Sequence, residues 1–154
     1  MPSDAMTHAE RNLQRVLRIG GLGLLAAVTG AFMPRPWMAQ LHEMLDLGPF
    51  PTQPIVVYLA RSTSGLYAFM GGLLWLLARD VRRNHLLINY VGVMGLIASA
   101  GLFVTDIRIH MPLYWILVEG PVVAILSGAL LVLSHLARKE ERQPARPDPV
   151  EADA

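Results

Sequence analysis

Long apolar runs alternate with short charged blocks along this chain, and the lengths of those runs are its most informative feature. Crossing a hydrocarbon layer of about 30 Å takes roughly 20 helical residues, because every backbone N–H and C=O in lipid must be satisfied inside the segment. Four runs meet that length: about Val16 to Met33, Ile55 to Ala78, Leu86 to Thr105 and Met111 to Ser134. The expectation is an all-α protein, an integral membrane four-helix bundle. The uncharged stretch of the first run covers only Ile19 to Pro34, so Arg15 and Arg18 must snorkel toward the headgroups. A cleaved signal peptide is the rival reading of that run, with Thr29 and Ala31 as small residues before a cleavage site. The spacing of Gly20, Gly23, Ala27 and Gly30 favours retention, since it would let a neighbouring backbone approach closely.

The charged blocks set the orientation. Arg11, Arg15 and Arg18 precede the first run, Arg79, Arg82 and Arg83 separate the second from the third, and Arg138, Lys139, Arg142 and Arg146 follow the fourth. The other two connections hold only Arg35 and Arg108. Lys and Arg in short loops are biased to the cytoplasm, which predicts both termini and the middle connection cytoplasmic.

Residues 34 to 54 carry Pro34, Pro36, Pro49, Pro51 and Pro54, so most of that connection cannot be regular. Within it, Trp37, Met38, Leu41, Met44 and Leu45 recur at helical spacing opposite Gln40, Glu43 and Asp46. That predicts either a short helix lying in the outer interface or an irregular loop tucked onto the bundle. The tail from Gln143 to Ala154 has prolines and no apolar periodicity, and is expected to be disordered. No internal repeat is apparent.

Composition sharpens the picture. Of 154 residues, 53% are apolar and only 16% charged, against about a quarter charged in a soluble domain. A net charge of +1 gives no strongly basic face for nucleic acid. The absence of cysteine excludes disulfides, thiolate metal sites and thiol nucleophiles.

Ionisable groups inside a membrane are costly and mark a site or a pair. Arg61 in the second run and Glu119 in the fourth both fall roughly 9 to 12 Å below the outer boundary at 1.5 Å per residue. Equal depth and opposite sign predict an ion pair between them. Heptad spacing groups Tyr58, Arg61, Gly65, Ala68 and Gly72 on one face, with Ser64 beside them, and that face is expected to look inward. In the third run Asn89, Gly92, Ser99 and Asp106 share a face; in the fourth, Gly120, Ala124 and Gly128 form a small-residue ladder. The candidate site is therefore a polar cluster of Tyr58, Arg61, Ser64, Asp106, Tyr114 and Glu119 near the outer surface, with Arg108 and His110 as neighbours. It reads as a structural pair that fixes helix register, a pocket for a small molecule or lipid headgroup, or a proton or ion path. No His or acidic partner stands at metal spacing beside His110, so no metal site is expected. Ser62, Thr63 and Ser64 lack a histidine in their membrane layer and read as backbone-bonding residues, not nucleophiles.

Tyr-Leu-Ala-Arg at 58 to 61, Ser-Gly-Leu-Tyr at 64 to 67, Arg-Asp-Val-Arg-Arg at 79 to 83 and Val-Glu-Gly-Pro at 118 to 121 follow in an order that resembles small bacterial DoxX-like membrane proteins. The resemblance covers roughly residues 10 to 137 and implies a four-helix architecture, with Arg61, Gly65 and Glu119 at the matching positions. The better-known members of that group are associated with quinone-linked respiratory complexes, and no quinone site is visible here. The function expected is non-catalytic: an accessory subunit of a membrane complex, or a binder of a small amphiphile in an outer-facing polar pocket, in a bacterial inner membrane. A proton-coupled small-molecule carrier is the alternative. The implied partners are the lipid bilayer and a larger membrane complex or second copy of the chain; the sequence names no cofactor.

Overall fold

The computed structural model describes residues 6 to 142. The tail expected to be disordered, 143 to 154, lies outside the described residues. Every regular element among them is a helix: α1 His8–Leu25, α2 Val28–Phe32, α3 Arg35–Met44, α4 Pro54–Leu77, α5 His85–Arg108 and α6 Leu113–Arg142.

Local chemistry sets most boundaries. Thr7 and Glu10 form a reciprocal capping box, so α1 begins at His8, well before the apolar run that predicted Val16. Ala26 and Ala27 interrupt it with a tightened turn, in which Ala27 N–H bonds Leu24 O and Gly30 N–H bonds Ala27 O, and α2 continues to Phe32. Pro34 and Pro36 open α3, and Pro54 opens α4, positions where the missing N–H has no helical partner to lose. The connection between α3 and α4 turns through left-handed residues at Asp46 and Gly48. His110, also left-handed, separates α5 from α6.

Among the described residues three helices are long and apolar enough to cross a membrane: the run His8–Phe32, α5, and α6 as Leu113–Glu141. The fourth long helix, α4, has 24 residues but carries Arg61, Ser62, Thr63 and Ser64 in one half. Large apolar side chains face outward along all of them, Ile19, Phe69, Leu86 and Ile125 each about 70 to 80% exposed, as lipid-facing surfaces require.

α1 packs against both α4 and α6, α6 packs against α5, and α2 packs against α4. The molecule is thus two antiparallel hairpins, α1 with α4 and α5 with α6, joined through α1 and α6. The buried core of Leu13, Leu17, Leu74, Leu77, Ala78, Val81, Ile88 and Leu130 lies wholly toward the end where the arginines cluster, here called the basic end. Toward the opposite end fewer apolar side chains are buried, and that is where a cavity opens.

Candidate functional site: an apolar pocket beneath α3

The pocket is built by the chain's reversal after α2. Met33 leaves α2 extended, Pro34 starts α3, and the amphipathic α3 buries Met38 against the bundle while Trp37 and Met44 stay exposed. The return segment is held by His42, whose Nδ1 pairs with Gly48 O at 2.9 Å and whose ring meets Phe50 edge-on at 5.5 Å. Arg35 Nη2 donates to Thr52 O at 3.1 Å and pins the start of α4. Beneath this cap lies an open cavity of about 190 Å³ lined by Gly30, Met33, Met38, Leu41, Leu45, Leu47, Phe50 and Ala60, with Ser64 and His42 as its polar members. Arg61, one residue beyond Ala60, sits on the rim and donates from Nη2 to Met33 O at 3.2 Å.

The structure disperses the expected polar cluster. Among the described residues the ion pairs are Arg82 with Glu10, Arg82 with Glu141, and His85 with Glu141, so Arg61 and Glu119 are not paired. Glu119 accepts from Trp115 Nε1, one turn earlier on α6, at 2.5 Å. Tyr67 of α4, six residues, or about 9 Å of rise, nearer the basic end than Arg61, lies within electrostatic range of Glu119. Tyr58 is largely exposed, Tyr114 donates its hydroxyl to Leu45 O across the cap, and Ser64 lines the pocket. The face of Tyr58, Arg61, Gly65, Ala68 and Gly72 does not look into the core. The buried stripe of α4 is Gly71, Leu74, Leu77 and Ala78, one position out of phase.

The polar face of α5 is placed as its spacing predicts. Gly92, Ser99 and Asp106 are all buried and turn toward α6, where Ser99 Oγ donates to Gly120 O at 2.7 Å. Gly120 of the small-residue ladder meets the Phe103 backbone; Gly128 meets nothing, and Ser127 takes its place in the contact. Asp106 Oδ2 is buried without a hydrogen-bond partner.

Sequence spacing missed the densest polar network, at the basic end. Glu10 is fully buried and accepts from Arg82 Nε at 2.5 Å, Arg82 Nη2 at 3.0 Å and Thr7 N–H at 2.7 Å. Around it, Ala9 N–H reaches Glu140, and buried His85 meets Ser134 Oγ at 3.2 Å through Nδ1 while its Nε2 stands 4.0 Å from Glu141. This knot ties the start of α1, the α4–α5 connection and the end of α6. The Thr-x-x-Glu pattern at 7 to 10 is the signal that could have found it, since a capping box fixes both a helix start and a carboxylate at N3. Among the described residues no group of three His, Asp or Glu side chains is placed to hold a metal ion.

No protein family, curated protein or solved structure matches this chain.

Proposed function

We propose that this chain is a four-span protein of a bacterial inner membrane that binds a small anionic amphiphile, holding its apolar part beneath α3 and its charged head at Arg61, without chemistry on it. The observation that carries the reading is the apolar cavity with Arg61 on its rim, a cation within α4 whose only hydrogen bond among the described residues is to a neutral carbonyl. A cation so placed is stabilised by an anion, and the ligand would supply one. The fourth span would be α4, whose length and exposed Ile55, Leu59, Leu66, Phe69 and Leu76 suit lipid contact. The arginine distribution supports cytoplasmic termini, and the resemblance to DoxX-like proteins agrees with the helix number. An exported reporter at Thr52 with cytoplasmic reporters after Arg83 and Arg142 is the expected topology result.

The binding reading is tested by native mass spectrometry of the purified protein with laurate and, as the uncharged probe, dodecanol. Losing one charge-assisted hydrogen bond removes about 1.5 to 3 kcal/mol, so Arg61→Met should weaken laurate at least tenfold and leave dodecanol unchanged. Gly30→Val, whose Cβ would stand 2.6 Å from Ser64 Oγ, should weaken both. Equal laurate binding by all three proteins would refute the pocket. A stoichiometric protein partner after gentle extraction would instead favour an accessory subunit.

The buried Asp106 Oδ2, which has no hydrogen-bond partner among the described residues, favours a second reading, a proton-coupled carrier, because an acidic side chain within a membrane-spanning helix marks a candidate proton or ion path. Proton uptake by liposomes containing the wild-type chain, lost in Asp106→Asn, would support it.

A further inference from the structure

We propose that the arginine ladder of α1, with Trp75 and Arg79 of α4, is a binding site for the phosphate headgroup of an anionic phospholipid in the leaflet at the basic end. Arg11, Arg15 and Arg18 are spaced by four and three residues, which places them in one stripe about 10 Å long. The opposite stripe of α1, Leu13, Leu17 and Gly21, is buried, so the fold fixes the arginines outward, and all three are exposed. Apolar Ile19 and Leu22 continue the same outer surface at 70% and 61% exposure, so Arg18 stands where polar helix gives way to lipid-facing helix.

None of the three has an acidic partner among the described residues. Arg11 touches the ring of His8, and the described carboxylates of this end meet other groups: Glu10 and Glu141 meet Arg82, Glu140 meets Ala9 N–H, and Asp80 meets Arg83 N–H. The groove beside the ladder is fixed by α4. Trp75 Nε1 donates to Arg18 O at 3.1 Å and its ring packs where only a glycine, Gly21, leaves room. Gln14 Nε2 donates to Ala78 O at 2.8 Å, which sets Arg79 at the level of Arg15 and Gln14. A half-exposed tryptophan anchored at the polar edge of a span, flanked by arginines with no acidic partner among the described residues, matches an acyl chain below and a phosphate above. The site lies at the opposite end of the molecule from the pocket beneath α3 and does not depend on it.

The test is native mass spectrometry of the full chain with phosphatidylglycerol, phosphatidylcholine and inorganic phosphate as probes. Phosphatidylglycerol should bind more tightly than phosphatidylcholine, and the preference should shrink with salt. At about fivefold per arginine near a membrane surface, Arg15→Gln/Arg18→Gln should lose roughly 25-fold in phosphatidylglycerol affinity. Arg15→Lys/Arg18→Lys should keep most of it, a check that survives if the glutamine variant folds poorly. Lys139→Gln, at the same end but off the ladder, should change it less than twofold. Equal binding of the two lipids, a glutamine variant that keeps its preference, or an equal loss in Lys139→Gln would overturn the site. Inorganic phosphate competing at millimolar concentration would show that the groove recognises phosphate without the acyl chains and would overturn the lipid assignment.

Discussion

Glu10 and Arg82 offer a quantitative test of the basic-end knot, because the two partners are unequally buried. Glu10 is 0% exposed, whereas the Arg82 side chain is 42% exposed and also lies 3.6 Å from Glu141. Arg82→Met strands a buried carboxylate beside a second one, Glu141, with Thr7 N–H as its donor, the situation that costs about 3 to 5 kcal/mol in buried pairs. Glu10→Gln keeps the shape and leaves Arg82 with solvent and Glu141, so its cost should be about 1 to 2 kcal/mol, that of weakened charge-assisted hydrogen bonds. The difference of about 2 kcal/mol is the prediction, and the double variant Glu10→Leu/Arg82→Met should be less destabilised than Arg82→Met alone. Unfolding in mixed micelles of rising dodecyl sulfate fraction, followed by tryptophan fluorescence, measures all three. The reasoning is refuted if Arg82→Met costs no more than Glu10→Gln, or if the double variant is no more stable than Arg82→Met alone.

Two further outcomes follow from the packing. A Cβ at Gly71 would stand 2.6 Å from Gly21 O and Leu25 N, so Gly71→Ala should loosen α1 from α4 and destabilise by about 1 to 3 kcal/mol in the same assay; Gly72→Ala, with nothing within 4 Å, should be neutral or stabilising by about 0.5 to 1 kcal/mol. Arg61→Met and Glu119→Gln should be additive within about 0.5 kcal/mol, and a larger coupling would mean that the two charges meet after all.

Run length and helix type were legible because they depend on composition along one dimension. The α5 face was legible too: Gly92, Ser99 and Asp106 are spaced by seven, and an apolar helix offers no other polar stripe to bury. The face of α4 was not, since Gly71 and Gly72 are chemically identical in sequence and only the neighbour's backbone decides which is contacted. Matched depth misled for Arg61 and Glu119 because the positive-inside pattern estimates where a helix enters, not its rotation or its offset against a partner. Glu10 and Arg82 lie 72 residues apart, and no local pattern links them. The pocket was hidden for another reason: it exists only because α3 folds back over α4, and Tyr114 meeting a backbone carbonyl of Leu45 leaves no trace in side-chain pattern.

The contact between α1 and α6 joins the first long helix to the last, and this has a consequence for biogenesis. A ribosome makes α1 well before α6, so one flank of α1 lacks its helix neighbour until α6 is complete. During that interval the flank must be sheltered by lipid or by the insertion machinery. The glutamate near its start must likewise wait, at least until the loop carrying its arginine has been made. Closure therefore waits on α6, and a chain shortened before α6 should leave that flank of α1 uncovered and open to proteolysis.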